Sequence, residues 1–452
     1  MLVALSIKNF KSIEEARVRF GALTCVIGHN GVGKSNLFDA IHFLSLLSDR
    51  DIYRAAVEVR RTSDGSHSPL DLIFGRDPSR KITLSADMIV PREVTDDFGV
   101  PTHPSTTLLT YELTLAYDPA SDRLLVAREF LAHAKLGDYR SFTAFRSKKE
   151  FQATVAVGSR RGGPLISTDG DRIMLHGDGG SRGRPAPVGT SPLTVVGGTN
   201  TADYPTVLAA KREMSSWRLL HLEPSAMRTP DARAARPHVT AAGGHLAATL
   251  RALTSTSPDI GVELVNRLRE LNSDVVALDA YADDARDQLA LRARVRGVDS
   301  WLFGRSLSDG TLRYIALALM LVDVEDRGVL CIEEPENGMH PSRVQNLLRL
   351  LYEYAVDLEE PVGSDNPLRQ VVLNTHSPEV ARQVSFDDIL FAEHALRSDG
   401  TSRSVFLPIE GTWRVDADGG PTKDRRAVVD FIGGSPPRED LRQLELRFGT
   451  AS

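Results

Sequence analysis

The sequence predicts an α/β fold with a mixed, largely parallel core sheet, an antiparallel β subdomain and a smaller, mainly helical second lobe. Three observations predict it. Gly28-His29-Asn30-Gly31-Val32-Gly33-Lys34-Ser35 joins an apolar strand, Leu23 to Ile27, to a helix from Asn36 to about Leu47, the strand–loop–helix unit of a phosphate-binding loop. Two more apolar runs, Gly328 to Ile332 and Gln370 to Thr375, end abruptly in polar residues, as buried parallel strands do. Alternating apolar residues at Lys81 to Val90, Leu108 to Tyr117 and Arg123 to Phe130 read as antiparallel strands that pair with Leu2 to Ile7 and Ala16 to Phe20.

The loop comes first because its chemistry is the most specific. Glycines at Gly31 and Gly33 let backbone N–H groups, including that of Asn30, curl round a phosphate. Lys34 reaches the β- and γ-oxygens, and the Ser35 hydroxyl suits Mg²⁺. The helix that starts behind the loop adds partial positive charge where a polyphosphate sits. ATP with Mg²⁺ is the expected ligand pair.

Along the rest of the chain, Ser48 to Ser68 predicts a loop with one irregular helix, and Phe151 to Val157 a strand closing the antiparallel sheet. Gly158 to Thr201 is dense in Gly, Ser, Pro and Arg and predicts a mobile loop. Tyr204 to Asn272 turns to helical spacing without heptads, so no long coiled coil is encoded. Ser306 to Val324 predicts a strong helix and Val344 to Leu358 an amphipathic one, and a hairpin turns at Ser398-Asp399-Gly400. The expected organisation is residues 1–157 for the phosphate loop and antiparallel sheet, 158–300 for an insert and second lobe, and 301–452 for the rest of the core.

Bulk properties exclude several classes. The formal charge is −6, so nucleic-acid binding would need a local basic patch; Arg160-Arg161, Arg182 to Arg184 and Arg228 to Arg236 are candidates. Cys25 and Cys331 both lie in apolar strand-like runs and read as buried thiols of a reducing compartment. No membrane-length apolar run or signal peptide is evident, which predicts a cytoplasmic protein without a membrane partner. The histidines lack H-E-x-x-H or Cys-paired zinc spacing.

Three downstream stretches complement the loop. Leu307-Ser308-Asp309-Gly310-Thr311 opens a helix, where a hydroxyl and backbone N–H groups suit an anion, or simply cap the helix. Glu333 and Glu334 leave an apolar strand, a placement in which one carboxylate can orient hydrated Mg²⁺ and the next polarise water, or in which both are simply solvated. His376 ends another apolar strand, where it can touch a γ-phosphate or serve a structural role.

Together these motifs resemble the ABC-type ATPase heads of the RecF, SMC and overcoming-lysogenization-defect superfamily. The resemblance covers roughly residues 1–50 and 300–395, with a looser match at Gly244-His245-Leu246. It includes Ile7-Lys8-Asn9-Phe10-Lys11-Ser12-Ile13, Asn36 after the loop serine, and Glu333 to Pro341 as the acidic box and D-loop. It implies an ATPase that dimerises head to head around two ATPs, with Ser308 and Gly310 of one copy closing on nucleotide held by the other. It assigns Glu334 as general base, Ser35 and Glu333 to the Mg²⁺ side, His376 as γ-phosphate sensor and Asn30, Gly31, Gly33, Lys34, Ser35 and Asn36 to nucleotide. It also places the His376 strand between the phosphate-loop and Glu334 strands, and Asn337 to His340 at the dimer seam.

The departures carry information too. Glu333 stands where many members have Asp, and Gln152 is the first glutamine available for the family's Q-loop. No zinc hook occurs, and Asp416-Ala417-Asp418 imitates a Toprim nuclease element without its preceding Glu. The expected role is to act on or sense DNA, in repair or phage defence. The alternative is an ATP-gated scaffold for a separately encoded effector such as a nuclease. A transporter subunit shares the motifs but not the long insertion between Ser35 and Leu307.

Overall fold

The computed structural model describes residues 1–59, 68–134, 149–155, 163–179, 184–187, 189, 191–271, 274–323, 325–397, 400–415 and 420–433. Asp416 to Asp418, Arg160-Arg161, Arg182, Ser398-Asp399 and the tail 434–452 lie outside the described residues.

The N-terminal half runs as a hairpin, β1 (Leu2–Phe10) and β2 (Ile13–Arg19), then β3 (Leu23–Ile27) and α1 (Lys34–Leu47). Long strands β4 (Lys81–Ile89), β5 (Leu108–Asp118) and β6 (Arg123–His133) follow. After α2 (Lys149–Val155) come three short strands, β7 (Ile166–Asp169), β8 (Arg172–Leu175) and β9 (Arg184–Pro187). These strands form an eight-stranded antiparallel sheet in the order β9-β8-β7-β6-β5-β4-β1-β2.

Two expectations are corrected here. Phe151 to Val155, the described part of the expected strand Phe151 to Val157, is helical: Phe151 and Val155 are both buried within α2, the i, i+4 spacing of one helical face. Gly158 to Thr201 is not all loop either, since β7, β8 and β9 extend the sheet edge. Backbone pairing needs few large side chains: Ile166 and Ile173 are the buried anchors, and Gly170 at φ 56° makes the tight turn between β7 and β8.

The second half begins with α3 (Pro205–Ser215), β10 (Arg218–Leu220) and α4 (Pro224–Arg228). Helices α5 (Leu246–Thr256) and α6 (Pro258–Leu271) then pack with β11 (Val275–Asp283), β12 (Gln288–Val295) and β13 (Leu302–Phe303). The chain closes with α7 (Asp309–Val322), β14 (Gly328–Glu333), α8 (Val344–Tyr354), β15 (Arg369–Thr375), β16 (Ile389–Leu396), β17 (Ser402–Pro408) and α9 (Arg425–Phe431). The span 204–272 is therefore not purely helical. Its three-residue β10 is too short to show a period, and only parallel pairing with β14 makes it a strand.

The core sheet runs β10-β14-β15-β3-β16-β17, parallel except for the last pair. The His376 strand, β15, thus sits between β3 and β14, as the resemblance implies. Both faces are covered, so β3, β14 and β15 are mostly apolar at their centres, yet alternate residues still serve different cores. Val26, Val329, Cys331 and Val372 join α1 and the antiparallel sheet in one cluster. Leu23, Cys25, Ile27, Leu330, Ile332, Val371 and Leu373 join α7 and α8 in another. Cys25 and Cys331 are both buried and free, two strands apart and on opposite faces, and burial raises both thiol pKa values. Among the described residues no helix is long and apolar enough to cross a membrane.

Candidate functional site

Register brings the site together. Ile27 pairs with Thr375, and Asn374 with Glu333. The next residue of each strand, Gly28, His376 and Glu334, therefore emerges at one edge of the sheet, the carboxyl end where parallel sheets place ligands. Asn30, Gly31, Gly33, Lys34, Ser35, Asn36, Glu333 and Glu334 all line one cavity of about 580 Å³ there.

The loop is held from behind by the motif at its N-terminal side. Asn9 and Lys11 take left-handed backbone conformations (φ 56° and 49°) that turn β1 into β2. The turn aims Lys11 at fully buried Asp39 of α1, 2.8 Å away. Ser12 Oγ lies 2.6 Å from Ser404 Oγ of β17 and accepts from Asn36 Nδ2 at 2.5 Å. Asn36 therefore lines the cavity while its amide braces the loop, and the Lys11-Ser12 pair gains a physical reason. Gly33 sits in this brace at φ 90°, where a Cβ would collide with the Ser404 hydroxyl. Gly33→Ala is expected to destabilise the protein by about 1–3 kcal/mol, read as a lowered Tm, whereas Ser404→Gly in the same chain should restore part of the loss.

Lys34 Nζ donates to the carbonyls of Gly28 (2.7 Å) and His29 (2.8 Å). Burial lowers its pKa, and Glu334, Glu336 and Glu333 oppose that shift by favouring the cation. Glu334 has a left-handed backbone, φ 44°, and its N–H donates to Asn374 O (3.1 Å) and Oδ1 (3.2 Å). Its Oε1 lies 2.7 Å from His376 Nδ1. His376 lies just outside the cavity lining and reaches it through Glu334. Glu336 meets the Thr375 hydroxyl, burial raises its carboxyl pKa, and among the described residues its Oε2 has no hydrogen-bond partner.

Ser308 and Gly310 lie apart from this cavity. Ser308 is exposed and caps α7, its Oγ accepting from Thr311 N–H at 3.1 Å. Gly310 is half-buried, and a Cβ there would make ordinary contact with Met339 at 3.9 Å. Two of the candidate basic residues are engaged: Arg228 pairs with Asp309 and Arg233 with Asp284. Gln152 lies on α2, which packs against Val356 and Leu358 beside the start of β15, at the opposite end of the sheet from the loop. It does not fill the Q-loop position.

Several cavity residues escaped sequence reasoning: Asn374, Arg313 and the segment His221-Leu222-Glu223-Pro224. Asn374 carried a readable signal, a polar residue inside an apolar strand, and its amide also reaches toward Glu333 Oε1 (3.4 Å). Arg313 donates to the Asn337 carbonyl, linking α7 to the segment that follows Glu334. Burial lowers its pKa while Asp309 and Glu336 favour the cation. The His221–Pro224 segment follows β10, so it was invisible while that strand was.

Comparisons with known proteins agree with this geometry. Residues 1–90 match a family described as "AAA ATPase domain", and residues 221–382 one described as "AAA domain, putative AbiEii toxin, Type IV TA system". The DNA replication and repair protein RecF of Porphyromonas gingivalis is 57% identical over 42 residues, 9% of this chain and 12% of that protein. RecF of Bacteroides thetaiotaomicron is 48% identical over 46 residues, 10% of this chain and 12% of its own length. The chain thus spans about an eighth of the length of these curated relatives. A solved SMC head bound to the C-winged helix domain of ScpA is 14% identical, with a TM-score of 0.50, covering 90% of this chain and 98% of that one. Fold and site define an ABC-type ATPase head. Within that class the chain resembles the AAA-family ATPases over residues 1–90 and 221–382 and RecF over a short stretch, and it shares the fold of the SMC head.

Proposed function

We propose that this chain binds ATP with Mg²⁺ at the phosphate loop, hydrolyses it at a seam shared by two copies, and uses that cycle to act on or sense DNA. The observation that carries the reading is a division of parts. Lys34, Ser35, Glu333 and Glu334 face one cavity, while Ser308 and Gly310, the second anion-binding element, lie outside its lining, with Ser308 exposed. A two-fold pair would bring the second element of one copy to the first of the other.

In this reading Lys34 exchanges the Gly28 and His29 carbonyls for the β- and γ-oxygens of ATP. One hydroxyl and one carboxylate, Ser35 and Glu333, fit a cation that takes its remaining ligands from phosphate and water, and when bound it neutralises charge on those oxygens. Glu334 takes the proton of the water that attacks the γ-phosphorus, as the bond to the β,γ-bridging oxygen breaks and ADP leaves. Asn374 fixes the Glu334 backbone, and His376 ties its carboxylate to the neighbouring strand. Asn337 to His340 would lie across the seam. The DNA assignment draws on the likeness to RecF, a DNA replication and repair protein.

Concentration tests the shared seam. Phosphate release per chain should fall as the chain is diluted towards the monomer, and ATP should double the mass seen by light scattering at concentrations where the nucleotide-free chain is monomeric. A constant rate per chain in a monomer would overturn the reading.

A further inference from the structure

Outside the nucleotide cavity, the second lobe carries a continuous stack of rings and guanidinium groups. In the sheet of β11, β12 and β13, Leu289, Leu291 and Ala293 point into the core, which leaves Arg292 and Arg294 on the opposite face. Register sets Arg292 beside both Asp279 and Phe303, and Ala290 beside Tyr281. The Arg305 guanidinium lies 5.7 Å from the Phe303 ring, and Phe303 meets Tyr281 edge to face at 5.8 Å. Arg292 lies 4.7 Å from Tyr281 and 4.7 Å from Trp301, and Arg294 follows at 5.5 Å from Trp301. Tyr281 is 39% exposed, and Arg294 and Arg305 are exposed at the two ends.

We infer that this ladder binds single-stranded nucleic acid. Unpaired bases stack on aromatic rings and guanidinium planes, and phosphates meet the guanidinium edges. A duplex hides its base faces and could not use the rings. The six members of the ladder include three guanidiniums and no carboxylate, Asp279 being paired with Arg292 at 2.6 Å. Tyr281 and Phe303 also border a cavity of about 510 Å³, where buried Met227, Leu246 and Leu291 suit a base and exposed Arg305 its phosphate, while Arg286 on the same lining pairs with Asp283 at 3.2 Å.

The site also touches the signature element. Arg228, on the same cavity, donates to the Leu307 carbonyl at 3.0 Å and pairs with Asp309. Phe303 leads directly through Gly304–Ser306 into Leu307-Ser308. A strand seated on the ladder therefore contacts the segment that presents Ser308. The inference deepens the nucleic-acid part of the proposed function by naming the strand state and the surface.

Fluorescence anisotropy of the full chain with labelled oligothymidylate and a duplex of equal length, without ATP, tests it. The single strand should bind more tightly. Tyr281→Ala with Trp301→Ala should weaken it about tenfold or more and leave duplex binding unchanged, while Tyr281→Phe should retain binding. Arg294→Gln and Arg305→Gln should each flatten the slope of log affinity against log salt by about 0.7. Equal or tighter duplex binding, no effect of the ring variants, or thymidine monophosphate competing as well as the oligomer would overturn the assignment. Lowered Tm in Tyr281→Ala/Trp301→Ala with binding kept by Trp301→Phe and Tyr281→Phe still supports it; loss in those conservative variants opposes it. The same samples assayed for phosphate release separate the two ideas. Binding without turnover removes only the proposed hydrolysis, and turnover without single-strand binding removes only the ladder.

Discussion

Glu334→Gln is expected to bind ATP with near wild-type affinity and to lose about 10²- to 10⁴-fold in turnover, the range a positioned general base contributes. The substitution keeps the side chain's size and leaves the Glu334 N–H bonds to Asn374 intact, while removing the carboxylate that accepts the water's proton. Light scattering with ATP should then find a dimer that persists, because closure no longer ends in cleavage. Wild-type turnover in this variant would remove Glu334 as the base. Asn374→Ala is the useful companion. It should lower turnover less, because it loosens the Glu334 backbone without removing the carboxylate.

The second large effect concerns two disabled copies. Lys34→Ala should lose nucleotide binding, since the ammonium beside the loop carbonyls is the side-chain cation of the loop. Ser308→Asp keeps a capping oxygen for Thr311 and sets a negative charge against the γ-phosphate, so it should bind ATP but not hydrolyse it. Each alone should be inactive. Mixed in equal amounts, half the dimers pair one of each and contain one intact composite site of two, so about a quarter of the wild-type rate should return. No rescue above the sum of the separate proteins, with both variants folded by thermal unfolding, would exclude a shared seam.

Local chemistry made much of this site legible. The phosphate loop announces itself because only glycines permit its backbone and only a strand before and a helix after can aim it. Glu333, Glu334 and His376 were visible as polar residues that break off apolar strands, and the structure brings all three to the same sheet edge. Arg313 and His221–Pro224 were not legible. Arg313 lies on a helix whose facing partner is set by packing, and His221 follows a strand of three residues that has no period of its own.

The amino-acid sequence by itself determined the phosphate loop, the strands that flank it, the capped signature helix and the antiparallel character of the N-terminal sheet. Each of these depends on neighbours a few residues away, through backbone freedom, period and capping. Tertiary structure alone decided that β10 is a strand, that α2 is a helix on the far end of the core, and that β7 to β9 extend the sheet. It also decided that Tyr281, Arg292, Trp301 and Phe303 stack into one ladder. Those outcomes depend on register and packing between segments far apart in the chain, where a residue's partner is chosen by the fold and not by its neighbours.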